Sequence, residues 1–480
     1  MIERLLRDGV VYALAAMVSR GVSFLLVPIY TRLLDPAQYG ALELILTAGL
    51  LVTLVVALEI GQGMAREWAE QTDAVQRRAL AGTALTFTVL AHAAFLALAL
   101  AASAPLTQAL LGSPAFTAEV RAGLIFIAIN AVFLQLQNQF RWDLRVRSYA
   151  AVSVLYGVST LALGAALGHA YGLRGMLWGQ ALAAALSCAV GLILLRGQVG
   201  FTLDSRHLLR MLHFSLPLVP SSVAIFASFY VNRLILSAFA TLPEVGVLGV
   251  AQRVAGVATL LIVGLQALTP LVYRHHHEPG VPAQLARIFE GFVAAALLTC
   301  LALSVFAREL IGWIAAPEFG AAASLLPWLA PAALLSQMYI FAPGIAIARK
   351  TTWQLALTSL SAALAIGLNL LLIPRWAATG AAVASCAAAA LFLAGWVAAS
   401  QRVYPLPLRW RSLAMAVAAY IGLVWLGLAI DRFDWTSGAA PALKLSIIGA
   451  LAGVLAAAGM LRRNWPGPHG VAARDAGSMP

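Results

Sequence analysis

Charge is scarce in this 480-residue chain: Asp, Glu, Lys and Arg together make up 10% of it, where an ordinary soluble domain carries about 25%. With 62% hydrophobic residues, the polar surface is too small to cover a water-soluble molecule of this size, and that class is excluded. Lysine occurs only at Lys350 and Lys444, and 19 acids stand against 31 basic residues. Cys188, Cys300 and Cys386 lie far apart inside apolar runs and show no metal or redox spacing. Catalytic motifs are lacking too: there is no GxxxxGK(S/T), HExxH or GxSxG, so neither an enzyme activity nor a cofactor is expected. The net charge of +12 sits in short gaps between apolar runs. It does not form the interleaved basic and aromatic surface that binds nucleic acid, so no such partner is expected.

Long apolar runs are what the chain does have. At bilayer length, fourteen spans are expected near 9–30, 39–63, 79–103, 121–140, 149–170, 175–195, 213–240, 246–273, 286–307, 324–348, 353–373, 376–399, 412–430 and 442–461. The first run has no small-residue cleavage site and is expected to stay as a helix. An even count puts both termini on one side. If that side is the cytoplasm, it receives 21 of the 31 basic residues, the other side receives 7, and 3 remain inside spans. Such a bias is an orientation signal. The segment DSRHLLRMLH, Asp204 to His213, carries Leu208, Leu209 and Leu212 on one helical face and is expected to lie at the interface. The tail from 464 to 480, rich in Gly, Pro and Ala, is expected to be disordered.

The chain also repeats itself at about 203 residues. Leu5-Leu6-Arg7 recurs as Leu208-Leu209-Arg210, Thr31-Arg32-Leu33 as Asn232-Arg233-Leu234, and Tyr39-Gly40 as Val245-Gly246. Pro114-Ala115-Phe116 answers to Pro317-Glu318-Phe319, Arg147 to Lys350, and Gly175 to Gly380. Such a repeat holds six spans, so both copies enter the bilayer in the same direction. An all-α membrane protein follows, with lobes at 1–198 and 199–400, two extra helices within 401–463 and the tail at 464–480. Two parallel six-helix lobes around a central cavity are a usual construction of an alternating-access transporter.

Charges inside the membrane are costly, at roughly 2.5–3.5 kcal/mol each on insertion scales, and therefore informative. Arg20, Arg233 and Arg253 lie within spans, Arg32 at a span end, and Glu43 and Glu59 toward opposite ends of the second span. Two readings stay open. The arginines line a cavity for an anion, which guanidinium matches in bidentate fashion, or they pair internally, as Arg20 would with Glu59 or Glu43. The two glutamates serve either a coupling ion or those internal pairs. Gln135 and Asn138, in a polar stretch of the fourth span, line an aqueous path or mark the helix end; Asn232 and Asn369 are further polar candidates, the latter more suited to a helix contact. His92 reads as a helix contact, and His275-His276-His277 as solvated loop residues; no metal site is expected.

PIYTRLLDPAQYGALELI (28–45), YVNRLILSAF (230–239), VGVLGVAQRVAG (245–256) and LNLLLIPRWAATGAAVAS (368–385) together resemble the polysaccharide-transport branch of the MOP flippase superfamily. Asn232 stands where many members have Asp, and Ala377 or Ala378 replaces the first glycine of the last motif. The resemblance implies a relative of multidrug exporters and lipid II flippases in the bacterial inner membrane. It also implies a substrate, a polyprenyl-pyrophosphate-linked oligosaccharide, with membrane lipids and other polysaccharide-assembly proteins as partners. Arg20 and Arg253, with Arg32 and Arg233 as secondary contacts, would then hold pyrophosphate. A cation-coupled multidrug antiporter would prefer acidic cavity residues, and a membrane polymerase or ligase would carry a long outer loop, which the spans leave no room for.

Overall fold

A computed structural model describes residues 24–263, 265, 272, 274–348, 350–431 and 439–461. Among these, eleven helices are long and apolar enough to cross a membrane, and the chain is helical almost throughout. The first expected span is described only over its end, Phe24–Leu33 (α1). Arg20 and the 464–480 tail lie outside the described residues.

Helix starts follow local chemistry. In LDPAQYG, Asp35 accepts a hydrogen bond from the Gln38 amide at 2.8 Å while Pro36 opens α2, Pro36–Val56. Asp204 does the same for α8, Ser205–Ser215, accepting from the Arg206 and His207 amides. Those two donors hold the Asp204 carboxyl below its ordinary range. The amphipathic helix expected there is present, with a shifted face. His207, Met211 and Ser215 are buried, Leu208 and Leu212 pack alongside, and Leu209 points outward.

One expectation about spans is corrected. The second expected span, 39–63, is not continuous: it breaks at Leu58 and Glu59, both at positive φ (49° and 53°), and resumes as α3, Ile60–Glu70. Glu59 therefore sits at a helix break. The expected pairs 149–170 with 175–195, and 353–373 with 376–399, are present as helix pairs that meet at a sharp reversal with almost no loop between them, within the segments α7 (Val146–Leu194) and α14 (Thr351–Gln401). At 1.5 Å per residue such segments would be over 70 Å long if straight, more than twice the roughly 30 Å hydrocarbon core. They double back at Gly172 (φ 60°) and Ala377 (φ 46°). In α7 the arms then lie so close that a Cβ on Gly175 would meet the Leu167 carbonyl at 1.9 Å.

These two reversals are 205 residues apart, and other features recur at nearly the same offset. Helix α5 (Ser103–Leu111) recurs as α12 (Ala307–Ile314), each following a residue at φ −96°, ψ 19°. The 3₁₀ turn at Pro114 recurs at Pro317. Helix α2 packs against α10, Leu242–Ala255, through reciprocal close approaches. A Cβ on Gly40 would lie 2.0 Å from the Leu242 carbonyl oxygen, and one on Gly246 would lie 2.2 Å from that of Pro36. Each glycine touches the residue equivalent to its own partner's, so a local two-fold relation runs through this contact. The remaining helices used below are α4 (Ala74–Ala101), α6 (Thr117–Trp142), α9 (Val219–Phe239), α11 (Val281–Val305), α13 (Leu326–Leu335), α15 (Trp410–Ile430) and α16 (Ala439–Ala457).

Candidate functional site

The seam between α2 and α10 carries buried charge. On α2, Gly40, Glu43 and Thr47 fall on one face at i, i+3, i+7; on α10, Gly246, Gly249 and Arg253 do the same. The two triplets correspond residue for residue at an offset of 206. Gly249 gives way to the Glu43 side chain, whose Cγ would lie 2.6 Å from a Cβ there. Glu43 thus packs on its own equivalent across the two-fold, and the charges that meet there differ between the copies.

The Glu43 side chain is 3% exposed and bridges two arginines. Arg253 reaches it with Nη2 at 2.7 Å and Nε at 2.8 Å, and Arg233 of α9 approaches the other oxygen at 3.4 Å. Arg233 also donates to the Thr47 hydroxyl at 3.2 Å. Both guanidinium carbons lie over aromatic rings, Arg253 5.8 Å from Tyr39 and Arg233 5.9 Å from Tyr230. One carboxylate faces two guanidiniums, so the cluster keeps a positive charge. The Arg233 Nε is buried without an acceptor.

Arg233 also lines a cavity of about 320 Å³ enclosed by α9, α10, α13 and both arms of α14. Asn232 and Gln252 line it too, and among the described residues no Asp or Glu does. The Asn232 amide donates to the Ser385 hydroxyl at 3.1 Å, and its carbonyl oxygen is buried with no donor.

The other residues singled out by sequence lie elsewhere. Arg32 donates to the carbonyls of Pro28, Trp313 and Ile314, closing the C-terminal end of α12. Gln135 is buried and donates to the Met64 sulfur at 3.4 Å, and Asn138 lies beside Gly61, forming a separate polar group where α6 meets α3. Asn369 bonds its own helix at Ala365, not a neighbouring one. His92 is buried against the Thr88 carbonyl at 2.9 Å. Glu43 pairs with Arg233 and Arg253, an arrangement that sequence reasoning did not foresee.

Two further ionic groups were missed. Glu290 of α11 holds Arg409, just before α15, through its amide at 3.0 Å and its Nε at 2.9 Å. Lys444, counted from sequence with the span-end charges, is 1% exposed inside α16, 2.5 Å from Glu309 and 2.7 Å from Asp431. Arg308 pairs with Asp431 from outside at 3.7 Å.

The whole fold has solved counterparts. A structure described as the lipid II flippase MurJ in an inward closed conformation aligns over 93% of this chain and 98% of its own, with a TM-score of 0.72 at 12% identity. An inward-facing multidrug resistance MATE family transporter of the MOP superfamily covers 81% of this chain and 94% of its own (TM-score 0.63, 15% identity). A MATE structure in the straight conformation covers 84% and 96% (TM-score 0.59, 16% identity). The architecture is the fold that these structures share. No curated protein matches the sequence. The family model described as polysaccharide biosynthesis protein matches residues 5–275, more than half of the chain. The chain, a multi-pass membrane protein with a flippase and transporter fold, belongs to that polysaccharide biosynthesis family.

Proposed function

We propose that this protein is a lipid-linked oligosaccharide flippase that moves polyprenyl-pyrophosphate-linked saccharides from the inner to the outer leaflet of the bacterial inner membrane. Both termini are cytoplasmic in this reading, and the halves 1–198 and 199–400 alternate access to the space between them. The observation that carries it is the unbalanced charge at the seam, two arginines to one glutamate, with Arg233 opening into a cavity that no Asp or Glu among the described residues lines. A membrane protein retains uncompensated positive charge at such cost only where an anion compensates it, and guanidinium suits pyrophosphate. Arg253 and Arg233 are the contacts favoured by this geometry, with Arg20 as a further one. Arg32 is engaged by backbone carbonyls. The same absence of carboxylates disfavours an organic cation as substrate.

Glu43 ties α2 to α9 and α10 in this state. Access at this end requires Glu43 to release its arginines, and an arriving pyrophosphate offers them a replacement carboxylate-like partner. The test is a deletion strain complemented with wild type, Arg253→Ala or Arg233→Ala. Deletion is expected to abolish surface polysaccharide and to accumulate lipid-linked units on the inner side. Both variants are expected to fail to restore it at normal protein level. Normal polysaccharide in the deletion strain overturns the function, and normal polysaccharide with both variants overturns the site.

A further inference from the structure

The cavity beside Arg233 is lined mostly by apolar side chains, and among its polar groups four hydroxyls share one arrangement. Ser228 donates its hydroxyl proton to the Ala224 carbonyl at 3.0 Å, Ser336 to Ala333 at 2.9 Å, Thr358 to Gln354 at 2.9 Å and Ser385 to Ala381 at 2.8 Å. All four line the cavity. A hydroxyl has one proton and two lone pairs, so each of these groups, its proton held by its own helix, meets a ligand as an acceptor. Asn232 adds to this. One of its amide N–H groups is engaged by Ser385, and its carbonyl oxygen, on a side chain 4% exposed, has no donor in reach. A buried acceptor left open in this way is unfavourable unless a ligand supplies the hydrogen.

Gln252 aside, the polar groups described on this wall offer mainly lone pairs, which suit O–H and N–H donors better than a phosphate, itself a set of lone pairs. Arg233, at the edge of the same cavity, has the opposite preference. We infer that the cavity is a saccharide subsite: the Asn232 carbonyl oxygen and the wall hydroxyls accept hydrogen bonds from the sugar adjoining the pyrophosphate, while Arg233 holds the pyrophosphate itself. This rests on the proposed function and adds a division of labour within it. Asn232 is a specificity residue because it is neutral. An aspartate there would cancel the charge of its neighbour Arg233.

The experiment uses the full-length protein in nanodiscs and two probes, bare polyprenyl pyrophosphate and the same lipid carrying one hexose. Wild type is expected to bind both, the hexose-bearing lipid about ten-fold more tightly, the order expected of a few neutral hydrogen bonds. Asn232→Ala removes that preference and leaves affinity for the bare lipid unchanged. Thr358→Val, at a half-buried position where the fold tolerates an isosteric change, reduces the preference about two- to three-fold. Arg233→Gln weakens both probes alike. Failure of wild type to bind the bare lipid overturns the anion reading and the proposed function with it. Binding of the bare lipid without a hexose preference, or with a preference that survives both Asn232→Ala and Thr358→Val, overturns the subsite alone. So does a response of the cavity variants to sodium concentration in place of the sugar.

Discussion

The seam at Glu43 and the two ionic groups around α15 and α16 are built from the same residue types, yet their charge counts differ. In the two buried ionic groups around the C-terminal helices, acids and bases are equal in number. Glu290 answers Arg409, and Glu309 with Asp431 answers Lys444 with Arg308. These groups fasten α15 and α16 to α11 and α12, and they carry no surplus charge. At the seam, Glu43 has two arginines, and among the described residues neither has another acid. Balanced buried ions act as fasteners between helices, whereas the surplus at the seam marks where charge has to be supplied from outside.

The difference predicts opposite consequences for single substitutions. Lys444→Met leaves Glu309 without a cation and Asp431 with only the exposed Arg308, and is expected to cost about 3–5 kcal/mol. Melting of the purified protein should show this, and transport per folded molecule should be unchanged. Glu43→Gln should be comparably destabilising, since it strands two guanidiniums at once. Arg253→Ala should be milder, about 1–2 kcal/mol, because Glu43 keeps Arg233 and the remaining pair is neutral. Surface polysaccharide is nevertheless expected to be lost. If Arg253→Ala instead unfolds the protein as Lys444→Met does, the seam is a fastener like the others and the comparison collapses.

Much of the fold was legible because a bilayer sets helix length and arginine placement together, so hydropathy and charge locate most helices. The break at Leu58 and Glu59 was not, since VVALEIGQG has no glycine or proline at the break itself. Arg233, Arg253 and Glu43 stood out as charges in apolar runs. Their mutual pairing did not, because it joins residues about 200 positions apart and depends on which helix faces meet. The matched triplets, Gly40, Glu43, Thr47 and Gly246, Gly249, Arg253, were the available signal once the repeat was known. Lys444 was hidden by proximity to a span end, where a lysine normally reaches water.

Sites without charge sharpen the comparison by affecting stability alone. Ala377 occupies the left-handed reversal of α14 that Gly172 provides in α7. Ala377→Gly is expected to raise stability by about 1 kcal/mol by relieving a backbone conformation costly for any residue with a Cβ. Differential scanning fluorimetry should detect the rise, with polysaccharide output unchanged. The smallest effect belongs to Arg308, whose side chain is 64% exposed on the rim of the Lys444 group. An exposed ion pair contributes about 0–1 kcal/mol, so Arg308→Gln should shift melting only slightly. Lys444 would still face both acids, and the loss should shrink further at high salt, where exposed pairs are screened. A loss as large as that of Lys444→Met would mean that the group depends on its outer pair as much as its buried one. Counting buried charge alone would then no longer separate fasteners from the seam.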